Sequence, residues 1–304
     1  MIKIKTKMIL KAMRVHHYLK NFLIFLPLLF SGNLFQAEML LNTMVGFIAF
    51  SLAASTIYII NDIRDVESDR LHEIKSKRPI ASGAVSIRSA KVLALILVIM
   101  SLFLNYLAFG TRALAWIIIL TYIFLNMMYS LGLKNIPLLD ISILVSGFLL
   151  RVIYGSAISS VIISNWLYLT VISLSFYLAL GKRRNEIKKH GNIRQVSQFY
   201  SQNFLDRNMY VCLGLTITFY ALWCVDPVTM AMHSTNNMIW TVMLVLIICM
   251  KYSLQVEGDS QGDPVDVFLG DKALIGLAIS YALIMFIIIY YPSLNLLAAT
   301  IFLM

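Results

Sequence analysis

The chain has 304 residues, 60% of them apolar and 13% charged, with a mean hydropathy of +0.80 and a formal net charge of +10. Soluble domains carry roughly 45–50% apolar and about 25% charged residues, and a globule with so few charges cannot cover its own surface. Soluble, fibrous and disordered classes are excluded; an integral membrane protein remains, whose positive charge concerns membrane topology and calls for no nucleic-acid partner.

A bilayer-spanning helix takes about 20 mostly apolar residues. In chain order the candidates are Leu19–Phe35, Met39–Ile60, Val92–Phe109, Leu114–Leu131, Leu138–Ile158, Trp166–Leu180, Met209–Val225, Met238–Tyr252 and Ala273–Tyr291. The first, sixth and eighth are short, and Leu294–Met304 is too short to cross. The expected fold is all-α: nine transmembrane helices in a single domain, 1–304, with cytoplasmic loops near 61–91, 132–137, 181–208 and 253–272. A basic arm, an apolar run and Ser31-Gly32 also have the shape of a signal peptide. Cleavage there would remove Lys20 and Asn21, and eight further spans would retain the chain. Cys212, Cys224 and Cys249 lie in apolar segments without ligand spacing, so neither a disulfide nor a metal site is expected of them.

Lys and Arg orient the spans. Six lie in the N-terminal arm (Lys3, Lys5, Lys7, Lys11, Arg14, Lys20), seven between Arg64 and Lys91, and seven between Lys182 and Arg207. Lys134, Lys251 and Lys272 fall in the remaining loops of that side, Arg112 lies opposite, and Arg151 sits within the fifth span. Thus 23 of 25 cations share one face, which the positive-inside rule makes cytoplasmic. The N-terminus is then inside and the C-terminus outside, in the inner or plasma membrane. Of 15 acids only Glu38 and Asp226 fall on the outer side, so the chemistry is expected at the cytoplasmic mouth.

The second span ends in Asn61-Asp62-Ile63-Arg64-Asp65-Val66-Glu67-Ser68-Asp69-Arg70. At about 100° per residue, Asn61, Asp62, Asp65 and Asp69 share an arc of roughly 100° on one helical face. Stacked carboxylates repel unless something cationic sits among them. Oxygen donors at a membrane edge suit Mg2+, which takes one or two carboxylates and completes its shell with water and phosphate oxygens. Lys75-Ser76-Lys77-Arg78-Pro79 follows, a basic stretch suited to phosphate. A solvated loop whose acids pair with Arg64, Arg70, Lys75, Lys77 and Arg78 is the plain alternative. The position at a span's end, where charge is expensive, favours a metal–diphosphate site.

At these residues the chain resembles the UbiA superfamily of intramembrane prenyltransferases. Its first signature, NDxxDxxxD, is met by Asn61, Asp62, Asp65 and Asp69, and Tyr129-Ser130-x-x-Leu133-Lys134 resembles its second conserved stretch. Aromatic prenyltransferases of that superfamily carry another DxxxD after the sixth span. Here the loop opens Gly181-Lys182-Arg183-Arg184-Asn185-Glu186, and no DxxxD occurs between Lys182 and Arg207. One acidic and one basic site resemble the decaprenyl-phosphate phosphoribosyltransferase branch, with two phosphorylated substrates of which one is metal-bound. Arg14-x-His16-His17-Tyr18-x-Lys20-Asn21, Leu131 to Asp140, Gly147 to Arg151, Gly181 to Glu186, and Val256-Glu257-Gly258 with Asp263-Pro264 are similar to that branch. Val15 stands where its opening motif usually has Pro.

The resemblance implies a Mg2+-dependent transferase of cell-envelope biosynthesis. It would move phosphoribose from 5-phosphoribosyl 1-pyrophosphate (phosphoribosyl pyrophosphate) to a polyprenyl phosphate and release pyrophosphate. Asp62, Asp65 and Asp69, with Asn61, would hold the metal and be the catalytic carboxylates; Lys77, Arg78 and Arg70 would take the remaining phosphate oxygens. Lys20, Asn21, Tyr129, Lys134, Lys182, Arg183, Arg184 and Glu186 would bind substrate. The attacking lipid phosphate is already an anion near neutral pH, so no general base is required.

Plainer roles stand beside these. Lys182, Arg183 and Arg184 serve equally as positive-inside anchors or contacts to anionic lipid, and Lys20 as a snorkelling cation. Glu186 would order the neighbouring arginines, and Tyr129 would belong to the aromatic belt. His16 and His17 fit an interfacial role, and Asp259, Asp263 and Asp266 the structuring of the last loop. Arg151, inside a span, calls for a partner or cavity, with Asp140 or a substrate phosphate open. Rival functions are an aromatic prenyltransferase, a CDP-alcohol phosphotransferase, whose DGxxAR pattern is missing from the sequence, and a lipid transporter or flippase. A homo-oligomer is compatible with all of them.

Overall fold

The computed structural model describes residues 2–190, 195–258 and 263–291; Asp259 and Leu294–Met304 lie outside them. Among the described residues all regular structure is helical. The α-helices are α1 (Ile2–Met13), α2 (Leu26–Phe30), α3 (Ala37–Arg64), α4 (Val66–Arg70), α5 (Ile87–Phe109), α6 (Ala113–Leu131), α7 (Leu139–Ser159) and α8 (Asn165–His190). They continue with α9 (Gln202–Val225), α10 (Pro227–His233), α11 (Thr241–Glu257), α12 (Pro264–Gly270) and α13 (Lys272–Tyr290).

Among the described residues seven helices are long and apolar enough to cross a bilayer: α3, α5, α6, α7, α9, α13, and α11 with the 3₁₀ turn before it (Asn237–Glu257). The two other expected spans take different forms. The expected Leu19–Phe35 is instead a short apolar helix, Val15–Phe30, wound as 3₁₀ through Val15–Phe25. The expected Trp166–Leu180 lies within the 26-residue α8, whose polar residues and terminal cations lower its hydropathy. Its Thr170, Ser173 and Ser175 are buried and donate to main-chain carbonyls one turn back, so the polar groups are satisfied within the helix.

The contacts divide the chain into two compact units. The first comprises Met1–Leu28, Leu34–Lys134 and Leu150–Val161. Its densest packing joins α3 to α5, where Ala49, Ala53, Ala54, Ala90 and Ala94 are buried and Ser101 donates to the Ala49 carbonyl at 2.7 Å. Small side chains let two backbones approach where no hydrophobic drive separates protein from lipid. Side-chain bonds tie the N-terminal 3₁₀ segment to α3: Tyr18 to Ser55 at 2.8 Å, Asn21 to Ser51 at 2.8 Å, and Ser55 to the Met13 carbonyl at 2.9 Å. These contacts fix against α3 a 3₁₀ segment whose tighter winding has poorer hydrogen-bond geometry than an α-helix.

Gly155 of α7 makes the closest approach in this unit. A Cβ there would run into the Ile24 carbonyl, its carbon 2.8 Å away. Gly155→Ala is therefore expected to destabilise the fold by about 1–3 kcal/mol, as overpacking does, read as a lower melting temperature in detergent. At Gly46 an added Cβ meets the end of the Ile158 side chain, which yields by changing rotamer. Gly46→Ala is expected to cost less, and the reverse order would refute this account.

The second unit comprises Leu29–Asn33, Asn135–Leu149 and Ile162–Met304. Here α8 packs on α9, around a core that includes Tyr177, Leu205, Met209, Val256 and Leu274. Asp226, Asp263 and Asp271 cap α10, α12 and α13 by accepting from main-chain N–H groups, the usual solution for unpaired donors at a helix start.

Candidate functional site

The acidic residues stand at the end of α3 and in α4. Asp65 (φ −90°, ψ 9°) separates the two helices, yet its N–H still bonds the Asn61 carbonyl at 2.9 Å and its carbonyl takes the Asp69 N–H at 2.8 Å. The helical path is thus nearly continuous. Asp62 and Asp69 are buried and converge on one cation: Arg78 Nη1 lies 3.2 Å from Asp62 Oδ1 and 2.6 Å from Asp69 Oδ2. Arg14 Nη2 approaches the same Asp62 Oδ1 at 2.6 Å, with its guanidinium 5.0 Å over the Tyr58 ring.

The other expected ligands turn elsewhere. Asp65 is partly exposed and accepts from Lys134 Nζ at 3.0 and 3.2 Å. Asn61 Oδ1 accepts from the Ser130 hydroxyl. Arg70 Nε donates to the Ala81 carbonyl at 3.2 Å and so braces the following loop. Lys77 is exposed, and its carbonyl accepts from Lys11 Nζ at 3.4 Å. Tyr129 is half-buried beside Ser130 at the end of α6.

Among the described residues no three His, Cys, Asp or Glu side chains form a metal-binding group. What converges is one pair of carboxylates, all oxygen and aimed at a single positive charge. That donor set fits a hard dication such as Mg2+, which needs only one or two carboxylates when phosphate oxygens and water complete its shell.

Asn21 of the opening motif is buried and accepts from Arg151 Nε at 2.6 Å. Arg151 also donates to Tyr122 Oη at 3.3 Å and lies 5.0 and 5.1 Å over the rings of Phe50 and Tyr122. Its charge is thus met by an amide, a phenol and aromatic faces. Lys20, one position before, is half-buried in the same segment.

In the second unit the basic stretch expected as a loop begins as the last turns of α8, where Lys182, Arg183 and Arg184 each pair with an acid. Lys182 bonds Asp263 at 2.8 Å, Arg184 pairs with Asp206, and Arg183 reaches Asp140 at 2.6 Å and Glu186 at 2.5 Å. Asp140 and Arg183 are both buried. Tyr200 donates to Asp140 at 2.6 Å and accepts the Leu138 N–H at 2.6 Å, which pins that residue at φ 66° before α7. Burial, and then the bond to Asp140, push the Tyr200 hydroxyl up to about 12. Asp140 and Glu186 both pair with Arg183.

Arg14 and Ser130 also contribute to the acidic site, through Asp62 and Asn61. Both stand inside motifs whose more conspicuous members are their neighbours, Lys20 and Asn21 in one case and Tyr129 and Lys134 in the other.

Fold and site together define an intramembrane helical protein with a buried carboxylate pair at the end of one span. Residues 22–269 match the family model described as the UbiA prenyltransferase family, and the chain belongs to that family. A Corynebacterium glutamicum protein named decaprenyl-phosphate phosphoribosyltransferase is 32% identical over 290 residues, 92% of this chain and 86% of its own. A Mycolicibacterium smegmatis protein of the same name is 31% identical, over 88% and 87% of the two chains. Among solved structures, a UbiA homologue from Archaeoglobus fulgidus, bound to GPP and Mg2+, superposes with a TM-score of 0.68. It covers 92% of this chain and 99% of that one, at 17% identity, a likeness of fold.

Proposed function

We propose that this protein transfers phosphoribose from 5-phosphoribosyl 1-pyrophosphate to a polyprenyl phosphate and releases pyrophosphate. The observation that carries the reading is the 32% identity, over 92% of the chain, to the C. glutamicum protein of that name. The sequence agrees, having cations where a second DxxxD would stand. With Val15–Phe30 and α8 counted as membrane-embedded, nine helices cross or enter the bilayer. The basic loops then face the cytoplasm, the C-terminus lies outside, and the site opens to the cytoplasm from the inner or plasma membrane.

Breaking the anomeric C–O bond leaves positive charge on the ribose and negative charge on the departing diphosphate. Asp62 and Asp69 would hold Mg2+, with Asp65 and Asn61 next to them on the same helical path. Bound there, Mg2+ supplies Lewis-acid stabilisation of the leaving charge. Arg14 and Arg78 offer forked N–H donors to the other phosphate oxygens; such contacts accelerate reaction when they strengthen as charge develops. The cations that would seat the lipid phosphate are either Lys20 and Lys134 in the first unit or Lys182 to Arg184 at the end of α8 in the second.

Washed membranes given Mg2+, polyprenyl phosphate and radiolabelled phosphoribosyl pyrophosphate are expected to move label into an organic-extractable lipid, and chelation should abolish it. Absence of labelled lipid, with prenylation of 4-hydroxybenzoate instead, would establish the aromatic prenyltransferase and overturn the proposal.

A further inference from the structure

The acidic site already holds two cations of its own. Asp62 and Asp69 have side chains only 3% and 4% exposed and sit on helices. Their partners differ in both respects. Arg14 is 22% exposed, at a break between α1 and the 3₁₀ segment where its backbone is left-handed (φ 52°, ψ 50°). Arg78 is 30% exposed, in extended backbone beyond the Lys75–Lys77 turn. The acids are fixed and the guanidinium groups stand on joints. We propose that Arg14 and Arg78 are resident counter-cations, which leave Asp62 and Asp69 when a divalent cation arrives with a diphosphate and then take the phosphate oxygens.

The argument is one of charge. Two carboxylates and two guanidinium groups sum to zero, and buried charge is tolerated only when balanced. A dication entering alone leaves the cluster doubly positive. Entering with a diphosphate of charge near −3, it leaves the sum close to neutral, and Arg14 exchanges one carboxylate oxygen, and Arg78 two, for forked phosphate contacts. Metal and diphosphate therefore bind as a pair, each weak without the other. Arg14 stacks 5.0 Å over the Tyr58 ring while it pairs with Asp62, an aromatic face that bears part of its charge.

This inference rests on the metal–diphosphate reading above, and its test separates the two. Mn2+ binding to the full chain in lipid nanodiscs is measured by electron paramagnetic resonance, alone and with inorganic pyrophosphate, correcting for their complex in solution. In the wild type, pyrophosphate is expected to tighten Mn2+ binding by about 10²-fold, within the ordinary range of coupling between sites. Arg14→Gln is expected to bind Mn2+ alone about tenfold more tightly, since a nearby unit charge is gone, and to lose that factor from the pyrophosphate effect. Arg14→Lys should behave like the wild type, and Arg78→Gln reads the same quantity should Arg14→Gln fail to fold. Unchanged or weaker Mn2+ binding by the folded Gln variants overturns the exchange while leaving the metal site in place. No Mn2+ bound by any of these proteins, with or without pyrophosphate, overturns both.

Discussion

Asp62→Asn is expected to lower phosphoribosyl transfer by about 10²–10³-fold, the loss typical when one preorganised electrostatic contact to developing charge is removed. Asp62 carries this expectation because a single oxygen, Oδ1, receives both Arg14 and Arg78 and the side chain is almost fully buried. Asp69→Asn should follow closely, since Asp69 shares Arg78. Asp65→Asn should cost less: its carboxylate is 36% exposed and bonded to Lys134. The Asn variants keep the side-chain shape, so a melting curve in detergent separates lost chemistry from lost fold. Initial rates of lipid labelling at saturating Mg2+ give the ranking. A larger loss at Asp65 than at Asp62 would overturn the assignment of the buried pair as the centre.

That ranking is partly legible in the sequence itself. Asp62 and Asp69 are seven residues apart, about 700° of helix, which leaves them only about 20° apart on the wheel; Asp65 stands about 60° round from Asp62. The pair that shares Arg78 is therefore the pair the helical period aligns. The helices α3, α5, α6, α7, α9 and α13 were legible for a similar reason, because length and hydropathy are local properties of a chain. What escaped depends on partners far away in sequence. The 3₁₀ winding of Val15–Phe25 accompanies bonds from Tyr18 and Asn21 to serines of α3, which no local pattern reports. Arg14 read as one cation among six in a basic arm, because its acid lies 48 positions on. The Lys182 to Arg184 stretch, which folds as the end of α8, reads as a phosphate seat because the sequence shows its cations next to one another, while their carboxylates are supplied by Asp140, Asp206 and Asp263.

That stretch of α8 yields the other large effect. Asp140→Ala is expected to destabilise the protein by about 3–5 kcal/mol, the cost of stranding a buried charge. Asp140 is 0% and Arg183 2% exposed, so water cannot replace the lost partner, and Glu186, at 22% side-chain exposure, is left to balance Arg183 from one side. Lys182→Ala and Arg184→Ala break pairs with partly exposed members and should each cost only about 0–1 kcal/mol. Thermal or denaturant unfolding in detergent reads all three. The double variant Asp140→Asn/Arg183→Met then decides what Arg183 is for. Removing both charges while Asn keeps an acceptor for Tyr200 should restore most of the stability, as replacement of a buried pair by neutral groups generally does. A stable double variant that still labels lipid makes Arg183 an internal strut, leaving Lys182 and Arg184 to meet the phosphate. A stable but inactive one places its guanidinium on the substrate, with Asp140 as the group that aims it.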